Sequence, residues 1–531
     1  RYDPAARARG AHGMKILTAA QMRETDRLSI ERGIPGLVLM ENAGNRVVDF
    51  LRETFAPLDR HRLVVICGKG NNGGDGFVVA RQLFTRKLCA SLTVVELFDP
   101  ATLTGDAAAN RKMLDVGGCR VVRDFPSDAG IVVDAILGTG LSGPAKGPSL
   151  DAIRAINERF PLARKVCIDI PSGLPSDGAH ATGEFVRADY TVTFTAPKPS
   201  QCLSPVYENV GALTVVPIGS PPELYEANPD CKLNLSTPQD LRALFSPRPA
   251  NSNKGMYGHV LVVGGSFGKS GAPAMAGLGA YRSGAGLVTV AIPKSALAMV
   301  AALRPELMTE PLEETASGRL SLADADRIFA LLKKMTVLAL GPGLGTEEET
   351  VRLVRRIYEE AELPAVVDAD ALNALAGHLP HTDRIRILTP HPGEMGRLAG
   401  KSAKEVQADR LGAAQQFARD SGATVVLKGD RTIIAFPDGE AWVNPTGSPA
   451  LASGGTGDVL TGMLAGLIAQ HPNDLNRDPE GADWKRAVLA AIWLHGRCGY
   501  FAGERWGVEA ALATDILEFL PRAMNELRPA I

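Results

Sequence analysis

The chain has 531 residues, 45% of them apolar and 22% charged, and 57 lysines and arginines against 59 acids leave a formal net charge of −2. At about 150 residues per domain, it holds several cores rather than one. It has no broad basic field for a nucleic-acid backbone and no apolar run near the roughly 18 residues of a membrane span, and its 56 glycines with 5% aromatics point to ligand turns rather than protein docking. The basic stretch 1–13 is read as a tail or leader remnant, with Met14 as a start. Amphipathic segments 17–33, 37–55 and 75–87 predict helices. Valine- and isoleucine-rich runs at 62–68, 91–97, 131–137, 165–171, 190–196 and 212–218 predict strands of a parallel sheet covered on both faces. The aperiodic stretch 219–234 predicts a linker. Strand runs then resume at 259–265, 287–293, 336–343, 364–370, 386–391 and 424–429, and a PDG turn at 437–439 predicts a closing hairpin. The expectation is two tandem three-layer α/β domains, 14–228 and 229–531. Seven scattered cysteines without CxxC spacing fit a reducing, cytoplasmic setting.

In the first half, ICGKGNNGGDGF (66–77) follows a strand and opens a helix. Its Gly68–Gly73 stretch is a literal GxGxxG, with Glu96 where a ribose-binding acid would sit, the pattern of a dinucleotide-binding domain. Asp75 would stand at the helix N-terminus as a cap, where its charge opposes a pyrophosphate. Asp134 and Asp169 fall at two further strand ends, Ser172 follows closely, and Lys198 follows the next strand. Ligands bind beyond the carboxyl ends of parallel strands, so Asn72, Asp75, Asp134, Asp169 and Ser172 converge on one crevice. Oxygen donors of this kind suit a hard cation rather than zinc.

GNNGGDG, DAILGTGLSGP, DIPSG and TFTAPK, in this order, resemble the N-terminal domain of NAD(P)H-hydrate epimerases, a Rossmann-like fold. The resemblance implies that Asn71, Asn72, Gly73, Gly74 and Asp75 hold the damaged cofactor, together with Gly138, Thr139, Gly140, Leu141, Ser142, Gly143 and Pro144. It implies a potassium ion on Asn72, Asp134 and Ser172, and a substrate contact at Asp169. Lys198 is its candidate catalytic partner.

In the second half, GGSFGKSG (264–271) misses the phosphate-loop spacing by one residue. The stronger signal is the glycine turn at 453–457 running into an apolar helix, with Asp458 at its start. Such a turn aims backbone N–H groups at an anion, and a carboxylate beside it can take a proton from a phosphoryl acceptor. This resembles the ribokinase-like fold. NKGMYG, SGAPAMAGLGAYRSGAG, GPGLG, TPHPGE, NPTGS and GGTGD more narrowly resemble NAD(P)H-hydrate dehydratases. By that resemblance Ala272, Gly343, His391 and Asp458 line the hydrate site. Lys428, Gly429, Asp430, Arg431 and Thr432, with Gly454, Gly455, Thr456 and Gly457, hold the adenine nucleotide.

Together these imply repair of hydrated NADH and NADPH. The first domain would interconvert the two epimers, and the second would dehydrate the S epimer using ADP and magnesium, with Asp458 as base. The implied partners are these small molecules and other copies of the chain, a homo-oligomer, with no nucleic acid and no membrane. The alternative is a small-alcohol or vitamin-precursor kinase carrying an N-terminal nucleotide-binding domain. A hydride-transferring dehydrogenase and a non-catalytic binding module are further rivals.

Overall fold

The computed structural model describes residues 13–471 and 482–528, so the basic stretch ahead of Gly13 lies outside the described residues. Two compact units divide between Leu233 and Asn234.

The first unit is built on a parallel sheet whose spatial order is Val121–Val122, Ser91–Glu96, Arg62–Cys67, Ile131–Ala135, Arg164–Ile168, Tyr190–Phe194 and Ala212–Val216. The chain reverses direction of travel between Arg62–Cys67 and Ile131–Ala135, which opens a crevice at their carboxyl ends. Alternate residues of one strand feed separate cores: Val65 and Cys67 pack on one face, Val64 and Ile66 on the other. Helices Ala19–Glu31, Gly36–Thr54 and Asn71–Thr85 cover the segments where amphipathic patterning predicts them, the last starting four residues early. The stretch read as a linker is instead packed onto this unit: Cys231 is buried against Leu17, Met22 and Ala196.

The second unit's sheet runs Ala441–Val443, Ile433–Ala435, Thr424–Leu427, Arg386–Leu388, Ala365–Val367, Val337–Leu340, His259–Val263, Leu287–Pro293 and Met308–Leu312. From Thr424–Leu427 onward the pairs are parallel, and the first three strands form antiparallel hairpins, the PDG turn joining the outer pair. Val260 and Val262 face the buried helix Thr456–Ala469, while Leu261 and Val263 face helices Ala325–Leu332 and Glu348–Glu360. Each unit is thus helix, sheet, helix. Among the described residues no helix is long and apolar enough to cross a membrane.

Candidate functional site

In the first unit the glycines of the 68–76 loop serve close packing. A Cβ on Gly73 would lie 1.7 Å from the Gly68 carbonyl oxygen, and one on Gly74 would meet Met40 at 2.6 Å. The close fit lets the helix begin at Asn71, with Gly70 as its N-cap. Asp75 is therefore not the cap that its sequence position suggests. It lies in the second turn, 9% exposed, and burial pushes its pKa well above the usual carboxylate range, with Asp169 and Asp26 adding to the shift. Glu96 does not offer itself to a ribose either: it is buried and accepts from Arg111 Nε at 2.6 Å.

A cavity of about 870 Å³ opens at the strand ends. Asn71, Asn72, Asp75, Gly138, Thr139, Gly140, Leu141, Ser142, Asp169 and Lys198 line it. Gly73, Gly74, Gly143 and Pro144 do not, the last two being exposed. Asp169 holds a left-handed backbone, φ 65°, unusual for a side chain with a Cβ. It is fixed by its own N–H donating to Val192 O and by Gln201 Nε2 donating to its carbonyl. Lys198, 1% exposed, donates to Asp169 Oδ1 at 2.6 Å, to Thr193 Oγ1 at 2.8 Å and to the Phe194 carbonyl. This buried ion pair was not legible beyond two residues at neighbouring strand ends.

Asp134 is fully buried and, like Ser172, does not line the cavity. It accepts from Ser172 N at 2.8 Å, Ser172 Oγ at 2.6 Å and Ile136 N at 3.2 Å. Burial raises its pKa even against these bonds. Asn72 is different. It is 7% exposed, and both its amide oxygen and nitrogen lack a partner. A Cβ on Gly138 would lie 3.4 Å from both Asn72 Cβ and Asp169 Oδ2, so these groups share one corner. An unpartnered buried amide oxygen is a donor that suits a hard, weakly charged cation. Among the described residues no group of three or more His, Cys, Asp or Glu is placed to hold a metal.

In the second unit, Lys428 donates to Asp368 Oδ1 at 2.8 Å, and Glu394 Oε2 lies 3.9 Å from its Nζ. Burial works against the ammonium, but Asp368, Glu394 and Asp458 together hold its pKa above the ordinary lysine value. Asp368, 1% exposed, also accepts from Thr461 Oγ1 at 2.7 Å. Asp368 escaped the sequence reading, although it follows strand Ala365–Val367 and obeys the same strand-end rule. Asp458 lies in the first turn of helix Thr456–Ala469, behind the left-handed Gly455. Burial, then Asp368, push its pKa up to about 6, Lys428 opposing. Gly457 stands beside this group, its Cβ position 3.5 Å from Lys428 Nζ. The Thr456 hydroxyl donates to Leu451 O, and the Thr456 carbonyl accepts from the buried His495, whose pKa burial lowers to about 4.

Gly429, Asp430, Arg431 and Thr432 form the hairpin turn after Lys428, tied by Arg410 to the carbonyls of Leu427, Lys428 and Asp430. Gly454 has open space at its Cβ position, whereas a Cβ on Gly343 would lie 3.2 Å from that of Ala272. His391 serves as a helix cap: its Nδ1 accepts from Gly393 N and Glu394 N, leaving the ring half-exposed.

Two family models match this chain: one described as NAD(P)H-hydrate dehydratase over residues 260–522, and one described as YjeF-related protein N-terminus over residues 36–200. A Moorella thermoacetica protein named bifunctional NAD(P)H-hydrate repair enzyme Nnr is 41% identical over 98% of this chain and 98% of its own. A protein of the same name from Thermofilum pendens is 37% identical, covering 97% of each. A Bacillus subtilis crystal structure, titled ADP/ATP-dependent NAD(P)H-hydrate dehydratase co-crystallized with ATP/Mg2+, is 34% identical. It covers 55% of this chain and 98% of that one, with a TM-score of 0.47.

Proposed function

The chain belongs to the family of bifunctional NAD(P)H-hydrate repair enzymes, and from that membership we propose how its two units divide the work. The first unit interconverts the epimers of hydrated NADH and NADPH, and the second dehydrates the S epimer. The observation that carries this division is the pair of separate sites. One is a cavity around Asp169 and Lys198, the other a glycine turn with Asp458, whose pKa of about 6 suits a base at neutral pH.

The hydrated ring carries a hydroxyl on the carbon beside its nitrogen. In the cavity, Asp169 and Lys198 bind and orient the ring and move protons near that hydroxyl. Asn72, Asp134 and Ser172 would hold a potassium ion, which supplies positive charge that fixes the loops carrying them. The residues present fit it, the unpartnered Asn72 oxygen above all.

In the second unit Asp458 takes the proton of the hydroxyl as its oxygen attacks the terminal phosphoryl of ADP, and AMP leaves. The phosphate ester is a far better leaving group than hydroxide. The ring nitrogen's lone pair expels phosphate, a ring proton is lost, and NAD(P)H is restored. The Gly454–Gly457 amides and Lys428 stabilise the charge on the transferring group, and Gly429–Thr432 contact the nucleotide. Magnesium on the phosphates and ADP as donor are part of this proposal. So is a cytoplasmic setting, supported by seven free thiols. The kinase reading is not favoured by these relatives.

The test uses mixed epimers of NADH hydrate with potassium, magnesium and either ADP or ATP, following the return of reduced-nicotinamide absorbance. Full recovery, faster than the epimers interconvert unaided, is expected. Recovery that stalls at one epimer's share would remove the epimerase assignment. A stable phosphorylated product without free phosphate would replace repair by kinase chemistry.

A further inference from the structure

Asp26 lies in none of the sequence motifs, yet it lines the same cavity as Asp75, Asp169 and Lys198. It comes from helix Ala19–Glu31, whose buried positions include Thr25 and Ser29. Its Oδ1 is buried and has no hydrogen-bond partner. An acceptor removed from water and left unmet is unfavourable, and the nearly buried Asn72, whose amide is also unpartnered, lines the same cavity.

Three carboxyl groups here share one buried ammonium. Lys198 is committed to Asp169 at 2.6 Å, so the stable charge state leaves protons on the other two. They differ in kind. Asp75 is held neutral by deep burial and does not easily release its proton. Asp26 is pushed up by burial only to about 6, Lys198 opposing and Asp169 adding, so it gives and takes a proton near neutral pH. Arg23 of its own helix, Lys69, Asp106 and Lys146 are the remaining charged groups around the cavity.

We propose that Asp26 is the proton donor to the departing hydroxyl in the epimerisation assigned above to the first unit. This rests on that functional reading. The Asp26 carboxyl transfers its proton to the hydroxyl oxygen as the C–O bond breaks. Water leaves, and the ring nitrogen's lone pair closes a C=N bond, giving an iminium. Water then adds to the opposite face, and its surplus proton goes to the Asp169 carboxylate as the C=N electrons return to nitrogen. Asp26 ends ionised and Asp169 protonated, and a proton passed through solvent resets the pair.

The experiment measures conversion of the isolated R epimer into S by the full chain without nucleotide, across pH, for wild type, Asp26→Asn and Asp26→Glu. Dehydration of the S epimer with ADP is measured in parallel. The wild-type rate is expected to fall above the pH at which Asp26 loses its proton. Asp26→Asn should lower kcat by about 100-fold or more, change KM by less than about threefold and lose that alkaline limb, with dehydration unchanged. Asp26→Glu, which still carries an acid, should recover to within about tenfold of wild type. Unchanged kcat in Asp26→Asn, or equal loss in both variants, would overturn the proposal. A wild type that interconverts nothing would instead remove the epimerase reading, and Asp26's role with it.

Discussion

At Asp458, the base proposed for dehydration, the same environment that raises the pKa also destabilises the fold. Burial and the Asp368 carboxylate push its pKa up to about 6, so the folded chain binds this proton more tightly than the unfolded chain does. The stabilisation from that proton is fully present below the unfolded pKa and is lost as pH rises through about 6. At pH 7 the ionised group then costs the ligand-free protein on the order of 3 kcal/mol. Asp458→Asn is therefore expected to remove dehydration while raising the urea midpoint of the second unit at pH 7, a gain that vanishes below about pH 4. The wild-type dehydration rate should fall about tenfold per pH unit below that pKa. Unfolding curves and pH–rate profiles of both proteins check each part; a variant no more stable at pH 7 would mean that the carboxylate is not strained. Residues at strand ends were legible in the sequence, because a parallel sheet delivers them to one edge. Asp368, directly after strand Ala365–Val367, obeys the same rule. Asp26 was not legible: nothing local reveals that its helix turns this one carboxyl toward Asp169.

The element that presents Asp458 is held by backbone contact rather than by side-chain bulk. Helix Thr456–Ala469 lies against helix Gly271–Ser283, where a Cβ on Gly462 would fall 1.9 Å from the Ala276 carbonyl oxygen. Gly279 mirrors this, its Cβ position 2.6 Å from Val459 O. Neither neighbour is a flexible tip that can swing aside, so an added methyl must push the helices apart. Gly462→Ala should therefore cost about 1–3 kcal/mol of stability and lower dehydration at least about tenfold, by displacing the glycine turn, while epimerisation persists. Differential calorimetry and the two separate assays measure this, and an unaffected dehydration rate would refute the rigid-contact argument. The glycines were visible in the sequence, but not that they face one another. Strand runs were readable because parallel strands buried on both faces are nearly continuously apolar. Met308–Leu312 escaped because it is an edge strand carrying Glu310 and Pro311, which break that pattern. The early start of helix Asn71–Thr85 escaped for a related reason, since its glycines are spent on packing that no local propensity reports.

At the scale of the whole chain, each unit buries a core of its own. The two clusters flanking the first sheet draw on residues between Leu39 and Ile218, and those flanking the second on residues between Leu241 and Leu527. In the proposed division each unit carries its own acid–base groups, Asp26 and Asp169 in the first and Asp458 in the second. A small, freely soluble cofactor is the only thing the two proposed reactions share. It follows that the activities should complement in trans. Asp169→Asn alone should restore absorbance only to the share of the S epimer plus slow unaided interconversion. Asp458→Asn alone should restore none. Equal amounts of the two chains, mixed with both epimers and ADP, should reach full recovery, with a rate that rises with the concentration of whichever chain is limiting. A mixture that still stalls at the S share would mean that the epimerised cofactor must pass within one chain, and the two sites would then have to be treated as one coupled machine.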